Sequence, residues 1–276
     1  MTFSKTVRNV QWRRIASALP LAAALLAAPM AYAAGDAPLL TPFSGAQGAQ
    51  APQPWRFTTL PNKAPTRFEV VQEDGKHVLK VDSDQSYGNL VHPAHLPLNN
   101  NATLAWRWRV DEFVQGADLR TKAGDDGAAK VCVFFDFPTD KLPVGERTRL
   151  ALARKATGED VPSEAICYVW DNKEAKGTAL TNAFTKRVRM IILESGPASK
   201  PGTWVAERRS LLADYKRAFG DEAGDTVPDI VAVAISADSD NTHGHGIAYF
   251  SDLELHGAPS TQEAVAQPKE KPAQGE

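Results

Sequence analysis

Between Trp55 and Gly257 apolar residues fall into short runs that alternate with polar ones, and clusters of Gly, Pro, Asp and Asn separate the runs. Successive side chains of a strand point to opposite faces, so this alternation predicts half-buried β-strands. The clearest runs are Phe68–Gln72, His77–Asp82, Thr103–Val110, Lys130–Phe137, Ala165–Trp170, Arg187–Leu193, Trp204–Arg208, Ile230–Ser236 and Ile247–Leu255. Nine such runs in roughly two hundred residues predict an antiparallel all-β sandwich. Glu73, Asp74 and Gly75 form a hairpin turn signal between the first two. Two stretches break the pattern. From Ser210 to Gly220, Leu211, Leu212, Tyr215 and Phe219 recur at helical spacing, with Ser210 placed as a cap and Gly220 as a stop. Glu146 to Thr157 is charged and helix-forming, which predicts an exposed helical insertion.

Parity within the strands separates two kinds of face. Leu104, Trp106, Trp108 and Val110 share one side of their run, so the tryptophans are assigned to the core, although paired tryptophans also suit a sugar-stacking platform. Arg107 and Arg109 take the other side. Lys130, Cys132, Phe134 and Asp136 likewise oppose Val131, Val133, Phe135 and Phe137, and Arg187 and Arg189 oppose Val188, Met190 and Ile192. If these strands are neighbours, Arg107, Arg109, Asp136 and Arg189 make a polar platform whose planar guanidinium donors grip hydroxyls or carboxylates. The plainer reading is a solvated face with cross-strand charge pairs.

The ends differ from the middle. The first fourteen residues carry Lys5, Arg8, Arg13 and Arg14 without an acid, and an apolar run from Ile15 to Met30 precedes Ala31-Tyr32-Ala33. This reads as a signal peptide over 1–33. General secretion fits better than the twin-arginine route, and an uncleaved anchor is the alternative. Cleavage leaves no transmembrane segment, and the expected location is the periplasm. It also removes four of 31 basic residues, leaving 27 against 33 acidic ones. A net charge near −6 argues against a nucleic-acid partner, which needs a basic surface. Residues 34–53 and 258–276 are rich in Ala, Pro, Gly and Gln or in Pro, Gln, Glu and Lys, and are expected to be a disordered linker and tail around a single domain over 54–257. Cys132 and Cys167 each sit in an apolar run; an oxidising compartment permits a disulfide, and two buried thiols are the alternative.

Candidate chemistry is sparse. Asp125 and Asp126 lie in a glycine-flanked loop ahead of a strand, where they bind a hard cation or cap free backbone amides. Asp238, Asp240 and Asn241 offer oxygen ligands at near-alternate positions for a structural Ca²⁺, without the distal Glu of an EF-hand loop. A glycosidase acid pair would join Asp126 to a distant partner such as Asp136 or Asp214. No Gly-x-Ser-x-Gly turn, His-Glu-x-x-His or Cys-x-x-Cys occurs. His92 and His95 could meet His243 and His245 around a metal, but loop histidines are usually solvated.

Five stretches together carry a resemblance: WRWRV, GADLRTKAGDDGAAKVCVFFDF, ICYVW, GTWVAERRSLLADYKRAFG and AISADSDNTHGHGIAYFSDLEL. In this order they resemble the secreted bacterial family called domain of unknown function 3047. The shared positions are Trp106 and Trp108; Gly124, Asp125 and Asp126; Tyr168 and Trp170; Trp204, Glu207, Arg209, Asp214, Tyr215, Phe219 and Gly220; and Asp238, Asp240, Asn241 and Thr242. Lys130 stands where the family typically has Arg, which turns a two-point contact into a single-point one. The resemblance implies export and a jelly-roll-like β-sandwich, and it supplies no reaction. The final run resembles the closing strand of galactose-binding-like carbohydrate modules. The expected function is therefore binding of a glycan or another cell-envelope polymer without catalysis, on Arg107, Arg109, Asp136 and Arg189 with Asp125 and Asp126 at the rim. An envelope hydrolase or lyase with an acid pair, and a structural envelope protein without a small ligand, are the alternatives.

Overall fold

The computed structural model describes residues 39–158, 160–196 and 200–257. The expected signal peptide, residues 34–38 and the tail 258–276 lie outside them. The strands are β1 (Arg56–Thr58), β2 (Arg67–Glu73), β3 (Lys76–Asp84), β4 (Tyr87–Leu96), β5 (Thr103–Glu112), β6 (Gly127–Phe135), β7 (Glu164–Asp171), β8 (Ala179–Thr181), β9 (Val188–Ser195), β10 (Val205–Ser210), β11 (Ile230–Asp238), β12 (His245–Phe250) and β13 (Glu254–His256). Two helices join them, α1 (Val144–Thr157) and α2 (Leu211–Ala223).

One sheet has seven strands in the order β1-β4-β11-β6-β7-β9-β8, and the other runs β10-β5-β12-β3-β2 with β13 added on β5. The pairings are antiparallel except for β7 with β9, which run parallel. The expected all-β jelly-roll-like sandwich is the architecture found. The sheets enclose a core of Trp108, Trp170, Tyr168, Phe135, Phe250, Leu79 and Leu104, all essentially inaccessible. Trp106 and Trp108 meet edge to face at 5.5 Å, and Trp108 lies 5.6 Å from Trp170, so both strand tryptophans are core residues. Burying aromatic surface of this size supplies much of the hydrophobic stabilisation.

Several expectations need correction. Residues 39–53 do not behave as a linker: Leu40, Phe43 and Ala46 are buried in the core, and the Leu39 amide donates to the Leu255 carbonyl at 3.0 Å. Their Pro and Gly content hid three anchors spaced along an extended chain. Strand β4 was not among the expected runs because Gly88, His92 and Ala94 occupy its inward positions alongside Leu90 and Leu96. Pro93 lies beyond the β1 pairing, which spans Asn89 to Val91, and faces Ala232 of β11 next to a register shift, where a proline is tolerated. Helix α2 runs through Gly220 to Ala223, whose burial one turn after Phe219 extends the apolar stripe, and Ser210 makes no side-chain cap. The expected final strand divides into β12 and β13. Helix α1 buries no residue and closes on Gly158 in the left-handed conformation, with its amide on the Arg154 carbonyl at 2.9 Å.

Cys132 and Cys167 face each other across β6 and β7 and are joined in a disulfide. They lie on the face of the seven-stranded sheet turned away from the sandwich core, in a second apolar cluster with Leu119, Val169, Met190 and Ile192. Strands β6 and β7 are thus covered on both faces.

Candidate functional site

That outward face is the floor of a groove of about 1130 Å³. Val91 of β4, Cys132 of β6, Cys167 of β7 and Met190 of β9 supply an apolar middle. The segment Thr58–Lys63, the end of α1 with Val161 and Pro162, and Asn182 to Thr185 after β8 form the walls.

One end of the groove is polar and tightly wired. The Lys130 ammonium donates to both carboxylate oxygens of Asp238, at 2.7 and 3.0 Å, and the Gly127 amide donates to Asp238 Oδ1 at 2.8 Å. A Cβ on Gly127 would come within 2.9 Å of Lys130 Cε, so the glycine makes room for the lysine stem. Burial alone would push the Lys130 ammonium down, but the charges of Asp238 and then Asp125 outweigh it and hold it above the ordinary lysine value. Burial pushes the Asp238 carboxyl up to about 6 against the pull of Lys130, with Asp126 and Asp125 adding to the rise. Lys63 pairs with Asp240 from the wall. Tyr87 and Asn89 of β4 join this end, the amide of Asn89 donating to the tyrosine oxygen at 3.3 Å.

Asp126 lies beneath the groove end. It accepts from the Asn241 amide and side chain at 3.3 and 3.2 Å, and from the Thr242 amide and hydroxyl at 2.7 Å each. These bonds pin the loop between β11 and β12 to the loop before β6, which is the backbone-capping alternative weighed for these acids. Asp125 accepts from Asn182 Nδ2 at 2.7 Å through one oxygen. Its other oxygen, and Asp240 Oδ1, are buried without a hydrogen-bond partner among the described residues, and both side chains line the groove.

The residues expected to hold Ca²⁺ are engaged otherwise: Asp238 with Lys130, Asp240 with Lys63, and Asn241 with Asp126 and the Asp125 carbonyl. Among the described residues no three His, Cys, Asp or Glu side chains are grouped to hold a metal ion. The histidines are dispersed. His92 accepts from the Thr41 amide at 3.1 Å, His95 lines the groove, and His245 lies between Asp82 and Glu112.

The four-residue platform is not assembled. Arg107 and Arg109 belong to β5 in the other sheet, on its outer face. There Arg109 pairs with Glu73 at 2.8 Å and Asp111 at 2.7 Å and lies over the Tyr249 ring at 4.1 Å, while Arg107 stacks on Trp204 at 5.3 Å. This is the solvated charge-paired face. Arg189 is on β9 of the groove sheet but has the parity opposite to Met190, so it turns to α2, over Phe219 and beside Glu222 and Thr181. Only Asp136 reaches the groove, exposed at the end opposite Lys130, where its amide donates to the Asp229 carbonyl at 3.0 Å. Of the groove residues that sequence reasoning left out, Tyr87 and Asn89 lie at alternate positions of β4, whereas Lys63, Asn182 and Asp229 lie in connections without a periodic signal.

A separate group of ionisable side chains lies where β10 closes the sandwich. Asp214 accepts from the Tyr168 hydroxyl at 2.8 Å and from Arg209 at 2.6 and 2.9 Å, and Tyr215 donates to Glu164 at 2.7 Å. Nearby, burial and then the charge of Glu194 push Glu207 up to about 7.

Comparison with solved structures gives distant matches only. The xyloglucanase domain of NopAA, a type three effector from Sinorhizobium fredii, solved with cellobiose, is 10% identical, with a TM-score of 0.40 over 74% of this chain and 98% of that one. Endoglucanase 3 of Trichoderma harzianum, from family GH12, is 10% identical, with a TM-score of 0.37 over 75% of this chain and 99% of that one. A family 12 xyloglucanase from Bacillus licheniformis is 10% identical, with a TM-score of 0.31 over 75% and 88%. No curated protein sequence matches the chain. The model described as protein of unknown function (DUF3047) matches residues 53–254, from just before Trp55 to the start of β13, and the chain belongs to that family.

Proposed function

We propose that this chain binds a glycan or another cell-envelope polymer in the groove, without chemical turnover, after export to the periplasm. The observation that carries the reading is the groove itself: an apolar floor, polar at both ends, with two buried carboxylate oxygens that lack donors among the described residues. Ligand sites combine an apolar lining with a few placed polar groups in this way, and buried acceptors left unpaired are costly unless a ligand or water supplies the donor. Export rests on the leader-like first 33 residues. Among the described residues no helix is long and apolar enough to cross a membrane.

A hydrolase reading has less support. Asp126 is held by four hydrogen bonds and does not line the groove, and Asp214 is tied to Arg209 and Tyr168 inside the sandwich, so neither acid pair faces a common substrate bond. The test is retention on an array of envelope glycans, with the wild-type chain beside Val231→Trp, which fills the groove from a partly exposed floor position. Binding by the wild type and loss in the variant, at unchanged melting temperature, are expected. A blank array with folded protein, or retention indifferent to the filled groove, would overturn the reading and favour a structural envelope protein.

A further inference from the structure

The groove is lined by six aspartates against two lysines and two arginines. Its cations are already used. Lys130 is spent on Asp238, Lys63 on Asp240, and Arg154 pairs with Asp160 at 3.3 Å and donates to the Val161 carbonyl at 2.9 Å. Arg56 also has a partner within the chain. An anionic polymer would therefore meet an excess of negative charge and, among the described residues that line the groove, no uncommitted guanidinium or ammonium group. The acceptors, by contrast, are available at both ends. At one, Asp125 Oδ1 and Asp240 Oδ1 are buried, unpaired and on the groove wall. At the other, Asp136 and Asp229 stand side by side and exposed, linked through the backbone bond between them.

We infer that the groove takes a glycan bearing free amino groups, a deacetylated hexosamine oligomer in chemical class, in preference to a neutral or uronate-bearing one. This rests on the reading of the groove as a glycan site and specifies its ligand. Ammonium groups donate to the unpaired oxygens of Asp125 and Asp240 at one end and meet the Asp136 and Asp229 charges at the other. Lys130 on β6 and Asp136 just past its end are six residues apart, about 20 Å at strand rise. A ligand that reaches both ends is thus an oligomer, not a single sugar.

Calorimetric titration with a glucosamine hexamer, its N-acetylated form and an oligogalacturonate, at low salt and about pH 6, tests the assignment. The deacetylated hexamer should bind about ten-fold tighter than the acetylated one, a preference worth two modest charge contacts. Asp136→Asn with Asp229→Asn, both exposed and changed only in their side chains so that the backbone bond between them stays, should remove most of that preference and leave the melting temperature unchanged. Equal affinity for both hexamers, or preference for the galacturonate, overturns the inference while the glycan reading stands. Absence of binding to every glycan overturns both. Oligolysine bound as tightly as the glucosamine hexamer overturns the inference too, since simple cation attraction would then suffice.

Discussion

Asp126, buried, and Glu207, half-buried, show how differently two acids are used. Asp126 receives four hydrogen bonds from Asn241 and Thr242, so its charge organises a loop junction rather than reacting. Asp126→Ala should cost about 3 kcal/mol in urea unfolding, because it strands buried donors as well as removing charge-assisted bonds. Glu207 has its carboxyl at about 7, above the ordinary 4.5, because burial and Glu194 disfavour the anion. A group whose proton affinity rises on folding stabilises the protein below its unfolded value. That contribution fades as pH climbs from about 4.5 through about 7. Its partial exposure screens the effect, leaving about 1 to 2 kcal/mol across that window. Glu207→Gln should flatten the pH dependence of the melting midpoint between those values, and an unchanged slope would refute the assignment. At this scale residue types were informative and partners were not: the sequence offered Asp126 as either ligand or cap, and only the position of Asn241 and Thr242 decides.

Strand parity survived folding almost intact. Leu104, Trp106, Trp108 and Val110 face the core, and Cys132 and Asp136 share the opposite face of their own strand, as alternation required. What alternation could not convey is which face of which sheet a side is. Strands β6 and β7 are buried on both sides because one side packs on the sandwich and the other floors the groove, so neither side of their runs marks a solvent face. The disulfide bridges these two strands over a separation of 35 residues. Closing a loop of that length stabilises by about 3 to 4 kcal/mol in the chain-entropy account. Replacing both cysteines by alanine should lower the thermal midpoint by roughly 10 °C for a domain of this size. An unchanged midpoint would show that β6 and β7 are held by their ladder alone.

For the whole molecule, the assignment of strands to sheets decided the site. Arg107 and Arg109 were placed beside Asp136 on the strength of similar alternation, yet β5 belongs to one sheet and β6 to the other, so they look out from opposite sides of the sandwich. Sheet order is set by long-range pairing that no local pattern encodes. The sandwich class was legible; the groove was half legible, through Asp125, Asp136 and Asp238, while β4 went unread. The bond from the Leu39 amide to the Leu255 carbonyl, with Ser44 anchored to Asp252 at 2.9 Å, brings the beginning and end of the described fold side by side. A domain with adjoining ends can be re-cut like a ring. A circular permutant that splices Gly257 to Leu39 through a short glycine linker and opens at the exposed Asp74–Gly75 turn between β2 and β3, away from the groove lining, should fold with the same circular-dichroism spectrum and keep the groove whole.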